Sequence, residues 1–330
     1  MKRLTYLDIM KGFAIWLVVI GHLIQYNNCV DWIKHPVFTW IYSFHMPLFF
    51  YISGYLCYKT THIESINDVK SFFFKKTRSL IIPLIVWSLF ANRYFFSNTI
   101  IPIHIEDVWN IFAERGLWFL KYLYSISLLY GIIHLLSSYW NKKNRLWKDS
   151  LFYFSFFLFL LFCAQLIDKT IFMSTALFYI FFMWGALLSK YEKLKHLTEQ
   201  PQIFSVAFII FFVFSTQWKV DDSWIYDFIK VVVSLCSFIV VEKMSKMIVE
   251  NHIGNMFSII GKYSLAIYVS HWSLLCIMPS RHWDILRFNS FWVFLIAGLI
   301  AHIVIASCIA FAKITEKNKW LGFFLYGKKV

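Results

Sequence analysis

Three histidines, His22, His45 and His271, stand inside long apolar runs, where a titratable side chain is expensive and each one is a functional candidate by default. A neutral imidazole poised near pH 7 is the usual general base for drawing a proton from a hydroxyl, and it needs no metal to do so. Lys11 precedes His22 by eleven residues, close to three helical turns. The two therefore share one helix face about 16 Å apart and could line a polar path along it. Counted along their runs, His22, His45 and His271 come to similar depth from three different segments. His302 is also apolar-flanked, and its ordinary reading is a hydrogen-bonded packing residue. The three candidate histidines could in principle ligate zinc, but no carboxylate or cysteine stands near them, so no metal is expected. No serine or cysteine lies in a recognisable nucleophile motif, which favours direct transfer over a covalent intermediate. The run Lys70, Lys75, Lys76 and Arg78, leading into Leu80-Ile81-Ile82-Pro83, reads in two ways. It is either a topology signal or a landing site for phosphates.

The elements that must position these groups follow from composition. Hydrophobic residues make up 59% of the 330 positions and charged ones 15%, well short of the roughly 25% charge of a soluble domain. Apolar runs fall near 7–26, 38–58, 79–97, 116–138, 150–167, 170–188, 203–218, 224–241, 257–279 and 291–312. Each is near the length needed to cross about 30 Å of hydrocarbon as a helix, and none shows the alternation of a barrel strand. The expected fold is an all-α membrane bundle of about ten helices, forming one domain over 1–330. Asp8 and Lys11 interrupt the first run and no small-x-small site follows, so it reads as a retained helix and not a signal peptide.

The net charge of +14 might suggest nucleic acid, but the basic residues lie in short loops between the apolar runs. On one side of the alternating runs they number twenty-one, against six on the other. The positive-inside rule then places both termini in the cytoplasm and requires an even number of crossings. Six cysteines occur without a CxxC pair, which indicates neither a disulfide framework nor a zinc site.

Several stretches resemble one known family. Tyr6-Leu7-Asp8-Ile9-Met10-Lys11-Gly12-Phe13-Ala14 with Val18-Val19-Ile20-Gly21-His22 is similar to the opening signature of the acyltransferase-3 family of membrane acyltransferases. Phe44-His45-Met46-Pro47-Leu48-Phe49-Phe50 with Ser53-Gly54-Tyr55 resembles its second-helix motif, and Arg78-Ser79-Leu80-Ile81-Ile82-Pro83 its third-helix entry. Leu117-Trp118-Phe119-Leu120 and Tyr263-Ser264-Leu265-Ala266-Ile267-Tyr268-Val269-Ser270-His271 match in order. The resemblance implies ten helices, an acyl-coenzyme A donor reached from the cytoplasm, and an acceptor that is commonly a surface or lipid-linked glycan. It makes His22 the catalytic histidine. Lys11 stands where the family usually carries arginine; lysine keeps the charge but loses the planar fork for bidentate phosphate contacts. Asp8, one turn before Lys11, is expected to pair with it.

Together these readings describe an O-acyltransferase of a bacterial inner membrane, an O-acetyltransferase first of all. Acetyl-coenzyme A or another acyl-coenzyme A would dock at Lys75, Lys76 and Arg78, with Lys11 along its path. His22 would act as base, and His45 or His271 would orient the acceptor or stabilise the oxyanion. The alternative is a proton-coupled transporter or flippase of an anionic or glycan substrate, in which the same histidines and Lys11 relay protons. Against it stand the missing internal repeat and the lack of paired Gly/Pro-broken helices.

Overall fold

Apolar runs of this length can satisfy their backbone groups in lipid only as helices, and every regular element described is helical. The structure, a computed structural model, describes residues 4–25, 32–92, 116–167, 169–219, 224–277 and 288–330. In chain order, α1 (Thr5–Gln25) is followed by a short pair, α2 (Pro36–Tyr42) and α3 (His45–Thr60). Next comes an amphipathic helix, α4 (Ile66–Lys76), which runs through a π turn (Thr77–Ile81) into α5 (Ile82–Val86) and a second π turn (Trp87–Asn92). Three long helices come next, α6 (Trp118–Trp140), α7 (Leu146–Leu166) and α8 (Lys169–Lys190). Then come α9 (Glu192–Thr198), α10 (Pro201–Phe214) and α11 (Trp224–Met247). The chain closes with α12 (His252–Lys262), α13 (Ser264–Ile277), α14 (Ser290–Thr315) and α15 (Lys319–Tyr326).

Among the described residues six helices, α1, α6, α7, α8, α11 and α14, are long and apolar enough to cross a membrane, and α9 with α10 makes a seventh bent by 62°. The protein is a multi-pass membrane protein. Six of the expected runs are these six helices. The others differ in instructive ways. The run at 38–58 is broken at Ser43 and Phe44, because Pro47 has no N–H to offer the Ser43 carbonyl and its ring would collide with it in a continuous helix. The freed carbonyl is taken by Ser234 Oγ of α11 at 3.0 Å. The run at 257–279 is two helices meeting at Tyr263. At 79–97 the helix continues to Asn92, and 93–97 lies outside the described residues, as does the loop near 98–115. In the π turn ahead of Pro83 the Ile82 N–H reaches back five residues to the Thr77 carbonyl, an adjustment that leaves room for the proline.

The core forms around α1, which packs against α3, α11, α12, α13 and α14 and is mostly buried, whereas α7 is mostly exposed on the rim. Two reciprocal glycine contacts set the closest approaches. A Cβ on Gly12 would collide with the Phe257 carbonyl, and one on Gly261 with the Asp8 carbonyl, so α1 and α12 touch backbone to backbone. Gly54 against Phe182 and Gly185 against Tyr51 do the same for α3 and α8. Small residues at membrane helix contacts permit such approach where lipid offers no hydrophobic drive for association.

Candidate active site

His22 lies near the end of α1, half-buried, and its ring faces that of His271 on α13 with centroids 5.2 Å apart. Trp272 meets His22 edge-on, also at 5.2 Å. His22 Nδ1 donates to Gln25 Oε1 at 3.0 Å, and the same oxygen accepts from Tyr42 Oη at 3.5 Å. The Tyr42 ring in turn meets His45 at 4.7 Å. A continuous string, His45, Tyr42, Gln25, His22, His271, thus draws together the three histidines expected to act.

Their hydrogen bonds fix the tautomers. A carbonyl oxygen can only accept, so Nδ1 of each ring carries the proton: from His22 to Gln25, from His45 to the Ile41 carbonyl at 2.7 Å, and from His271 to the Ile267 carbonyl at 2.9 Å. Each neutral ring then presents a lone pair at Nε2. For His22 that is the requirement of a general base with its far nitrogen held by an orienting acceptor. The roles left open for His45 and His271 separate here. Their Nε2 atoms can accept from an acceptor hydroxyl but cannot, while neutral, donate to an oxyanion. His271 is buried, 3% exposed, and its Nε2 has no hydrogen-bond partner among the described residues. His302 is hydrogen-bonded within its helix, donating to the Gly298 carbonyl at 2.7 Å, and its ring lies tilted against Trp16 with centroids 5.5 Å apart.

Below the histidines, toward the lysine-rich end, lies a cavity of about 320 Å³ lined on α1 by Lys11, on α3 by Phe49, Ser53 and Cys57, and on α4 by Lys75 and Lys76. Phe119 of α6 and Tyr268 of α13 line it as well. Phe49, Phe119 and Tyr268 pack in sequence, with ring centroids 5.5 and 5.4 Å apart. On α3 the step from Phe49 to His45 is one turn, and on α13 so is the step from Tyr268 to His271. The cavity lining therefore ends one helical turn short of the histidines, and His22 is not part of it.

Lys11, Lys75 and Lys76 converge on this space from two elements. Lys11 also bonds Asp8 Oδ1 at 3.1 Å, the pairing expected from their spacing. Arg78 is not among the lining residues; its Nε is buried without a hydrogen-bond partner among the described residues, and its carbonyl backs onto Gly327 after α15. The start of α4 is fixed by a reciprocal cap: Asp68 N–H donates to Ser65 Oγ at 3.3 Å and Ser65 N–H to Asp68 Oδ2 at 2.9 Å. The Ser65 hydroxyl bond holds the Asp68 carboxyl below the usual carboxylate range, aided by the Glu64 and Ser65 amides.

A second cavity, of about 220 Å³, opens beside Tyr51, Glu199, Glu242 and Lys246. Three of its charges satisfy each other, as Lys246 bridges Glu242 and Glu199 at 2.7 Å each and Tyr51 Oη donates to Glu242 at 2.7 Å, while Lys243 Nζ lies 4.1 Å from the Phe204 ring centre. Residues that sequence alone did not mark are Gln25 and Tyr42, and Lys230 on α11, whose Nζ lies 4.5 Å from the Trp218 ring centre; Tyr268 was marked only as part of the stretch that ends at His271.

Comparison with known proteins adds a wider frame. Two proteins each named nodulation protein NolL match a part of this chain. That of Sinorhizobium fredii is 39% identical over 87 residues and that of Mesorhizobium japonicum 38% over 84. Each alignment covers 24% of this chain and about a fifth of the relative, 22% and 21% respectively. No solved structure gives a significant match. The model of the acyltransferase-3 family, an acyltransferase domain, matches residues 4–311. With nearly its whole length in that match, the chain belongs to the acyltransferase-3 family.

Proposed function

We propose that this chain is an O-acyltransferase of a bacterial inner membrane, which moves an acyl group, acetyl in the simplest case, from cytoplasmic acyl-coenzyme A to a hydroxyl of a surface or lipid-linked glycan. One observation carries the reading. A cavity with three lysines at one end rises to within one turn of paired histidines at the other. Its size falls within the range of small-molecule pockets. Lys75 and Lys76 suit the phosphates of a nucleotide-bearing thioester, and Lys11 with the apolar middle suits its arm.

In this reading α2 with α3, the run at 79–97 that includes α5, α9 with α10 and α12 with α13 each make one crossing, which with the six long helices gives ten and returns both termini to the cytoplasm. The basic residues then face the cytoplasm, as the positive-inside rule asks. Lys75 and Lys76 take donor phosphates and Lys11 lines the arm. His22 Nε2 takes the proton of the acceptor hydroxyl while that oxygen bonds to the thioester carbon. The carbon–sulfur bond breaks, and the thiolate of coenzyme A takes the same proton from the imidazolium. His45 and His271, as acceptors at Nε2, orient the hydroxyl groups of the sugar.

Membranes containing the chain should move label from acetyl-coenzyme A into a glycan fraction, and cells with the chain should show a glycan mass higher by one acyl unit. Absence of both, with unmodified glycan crossing the bilayer only when the chain is present, would establish the flippase alternative.

A further inference from the structure

The thioester carbonyl becomes an oxyanion when the hydroxyl attacks, and stabilising that charge requires a hydrogen-bond donor placed beforehand. Neither His45 nor His271 supplies one in its neutral form, because Nδ1 of each is committed to a main-chain carbonyl and Nε2 bears a lone pair. We propose that the phenolic hydroxyl of Tyr268 is the oxyanion donor, on the proposed reading of the chain as an acyl-coenzyme A-dependent transferase. Tyr268 is the cavity-lining residue nearest the histidines along α13: it is one turn from His271, with ring centroids 6.2 Å apart, and it is 8% exposed.

The hydroxyl accepts one hydrogen bond and keeps its own proton to donate. Its oxygen receives the Phe119 amide N–H at 3.3 Å, while its own proton has no acceptor among the described residues. Phe119 lies in the first turn of α6, where amides have no partner within their helix and carry the positive end of the helix dipole. A hydroxyl that already accepts such an N–H is polarised toward giving up its proton in a hydrogen bond. Phe119 also packs edge-on against the Tyr268 ring at 5.4 Å, which fixes where the oxygen points.

A thioester arriving from the lysine end would therefore meet Tyr268 Oη just before it comes within reach of the base. No proton changes hands at Tyr268. The bond to the carbonyl oxygen strengthens as the carbon–oxygen bond to the acceptor forms, and relaxes when the carbon–sulfur bond breaks.

The test uses the full-length protein in lipid nanodiscs with acetyl-coenzyme A as donor. Tyr268→Phe keeps the ring packing and should lower kcat about 100-fold while the donor KM stays within about threefold. That variant also strips the Phe119 amide of its acceptor, so a second one isolates the proton: 3-fluorotyrosine at position 268 keeps the oxygen and makes the hydroxyl more acidic. Donation to the oxyanion predicts a kcat raised about twofold, whereas a hydroxyl that only accepts from Phe119 predicts an equal or lower rate. Wild-type protein that transfers nothing from acetyl-coenzyme A sinks the enzymatic reading itself. Active wild-type protein with Tyr268→Phe at full kcat, or with no gain in the fluorinated form, sinks only the role of Tyr268.

Discussion

Two buried polar clusters in this molecule look alike by depth and differ in what they leave unused. Asp149 is fully buried in the first turn of α7. Its carboxylate accepts from Ser137 Oγ at 2.6 Å, Asn141 Nδ2 at 2.8 Å, Lys190 Nζ at 2.5 Å and Tyr191 Oη at 2.7 Å. Four donors from α6, α8 and the turns beside them saturate both oxygens and tie three helices together. The histidine cluster is built the other way. Each ring has Nδ1 anchored, and at His271 the other nitrogen has no partner among the described residues. A buried polar group normally finds its hydrogen bonds. Burial therefore does not distinguish the two clusters; the acceptor left open at His271 does.

The comparison breaks first at His22. His22→Ala should lower acyl transfer by about 10²- to 10⁴-fold, the usual span for a positioned general base, with thermal unfolding in detergent unchanged. Near-normal transfer would remove the base from the mechanism and leave the cluster as packing. Asp149→Ala should do the reverse. It strands Lys190 as an uncompensated buried charge, worth about 3–5 kcal/mol of stability, while kcat per folded molecule stays within about twofold. If unfolding were unaffected and kcat collapsed, the closed cluster would be the functional one.

Smaller changes sharpen the contrast within the site. Gln25→Leu removes the acceptor that fixes the His22 tautomer and should lower kcat about tenfold with little change in donor KM, because the ring can then turn or carry its proton on the wrong nitrogen. A KM effect without a kcat effect would instead make Gln25 a substrate contact. Reversing charge at Lys75 and Lys76 together should raise the donor KM about fivefold and leave kcat nearly intact. An unchanged KM would leave these lysines as topology signals only.

The parts legible in sequence were those written by local chemistry. Runs of apolar residues could only be helices, Asp8 and Lys11 could only meet at their spacing, and a base needed an imidazole. What stayed hidden depends on partners far along the chain. Pro47 forecasts a break, but the group that takes the freed Ser43 carbonyl is 191 residues away at Ser234. Gln25 reads as an ordinary polar residue at the end of a span until folding places it beside Tyr42. Tyr268 was legible only as part of the stretch that leads to His271; its hydroxyl bond to Phe119 and its place at the top of the cavity single it out. Lys230 was passed over because it lies inside an apolar run and outside the loops where charge was counted.

The gentlest test concerns α4, the element that carries the lysines proposed to bind the donor. α4 is short and amphipathic, and Ser65 with Asp68 closes its first turn. Because hydrogen bonds hold the folded Asp68 carboxyl below its ordinary range, its contribution is fully present above the unfolded value near 3.9 and is lost as pH falls through the folded one. The cap is therefore constant across any neutral assay. Ser65→Ala removes one half of it and should speed amide exchange at the start of α4 about fivefold, a local fraying and not a global loss. Lys75 and Lys76 sit two turns farther on, past the frayed segment, where packing of Phe72 against the cavity still holds the helix. The donor KM should then move by less than about twofold. A larger rise would mean that the capping box, and not the buried face of α4, sets where the lysines meet the donor.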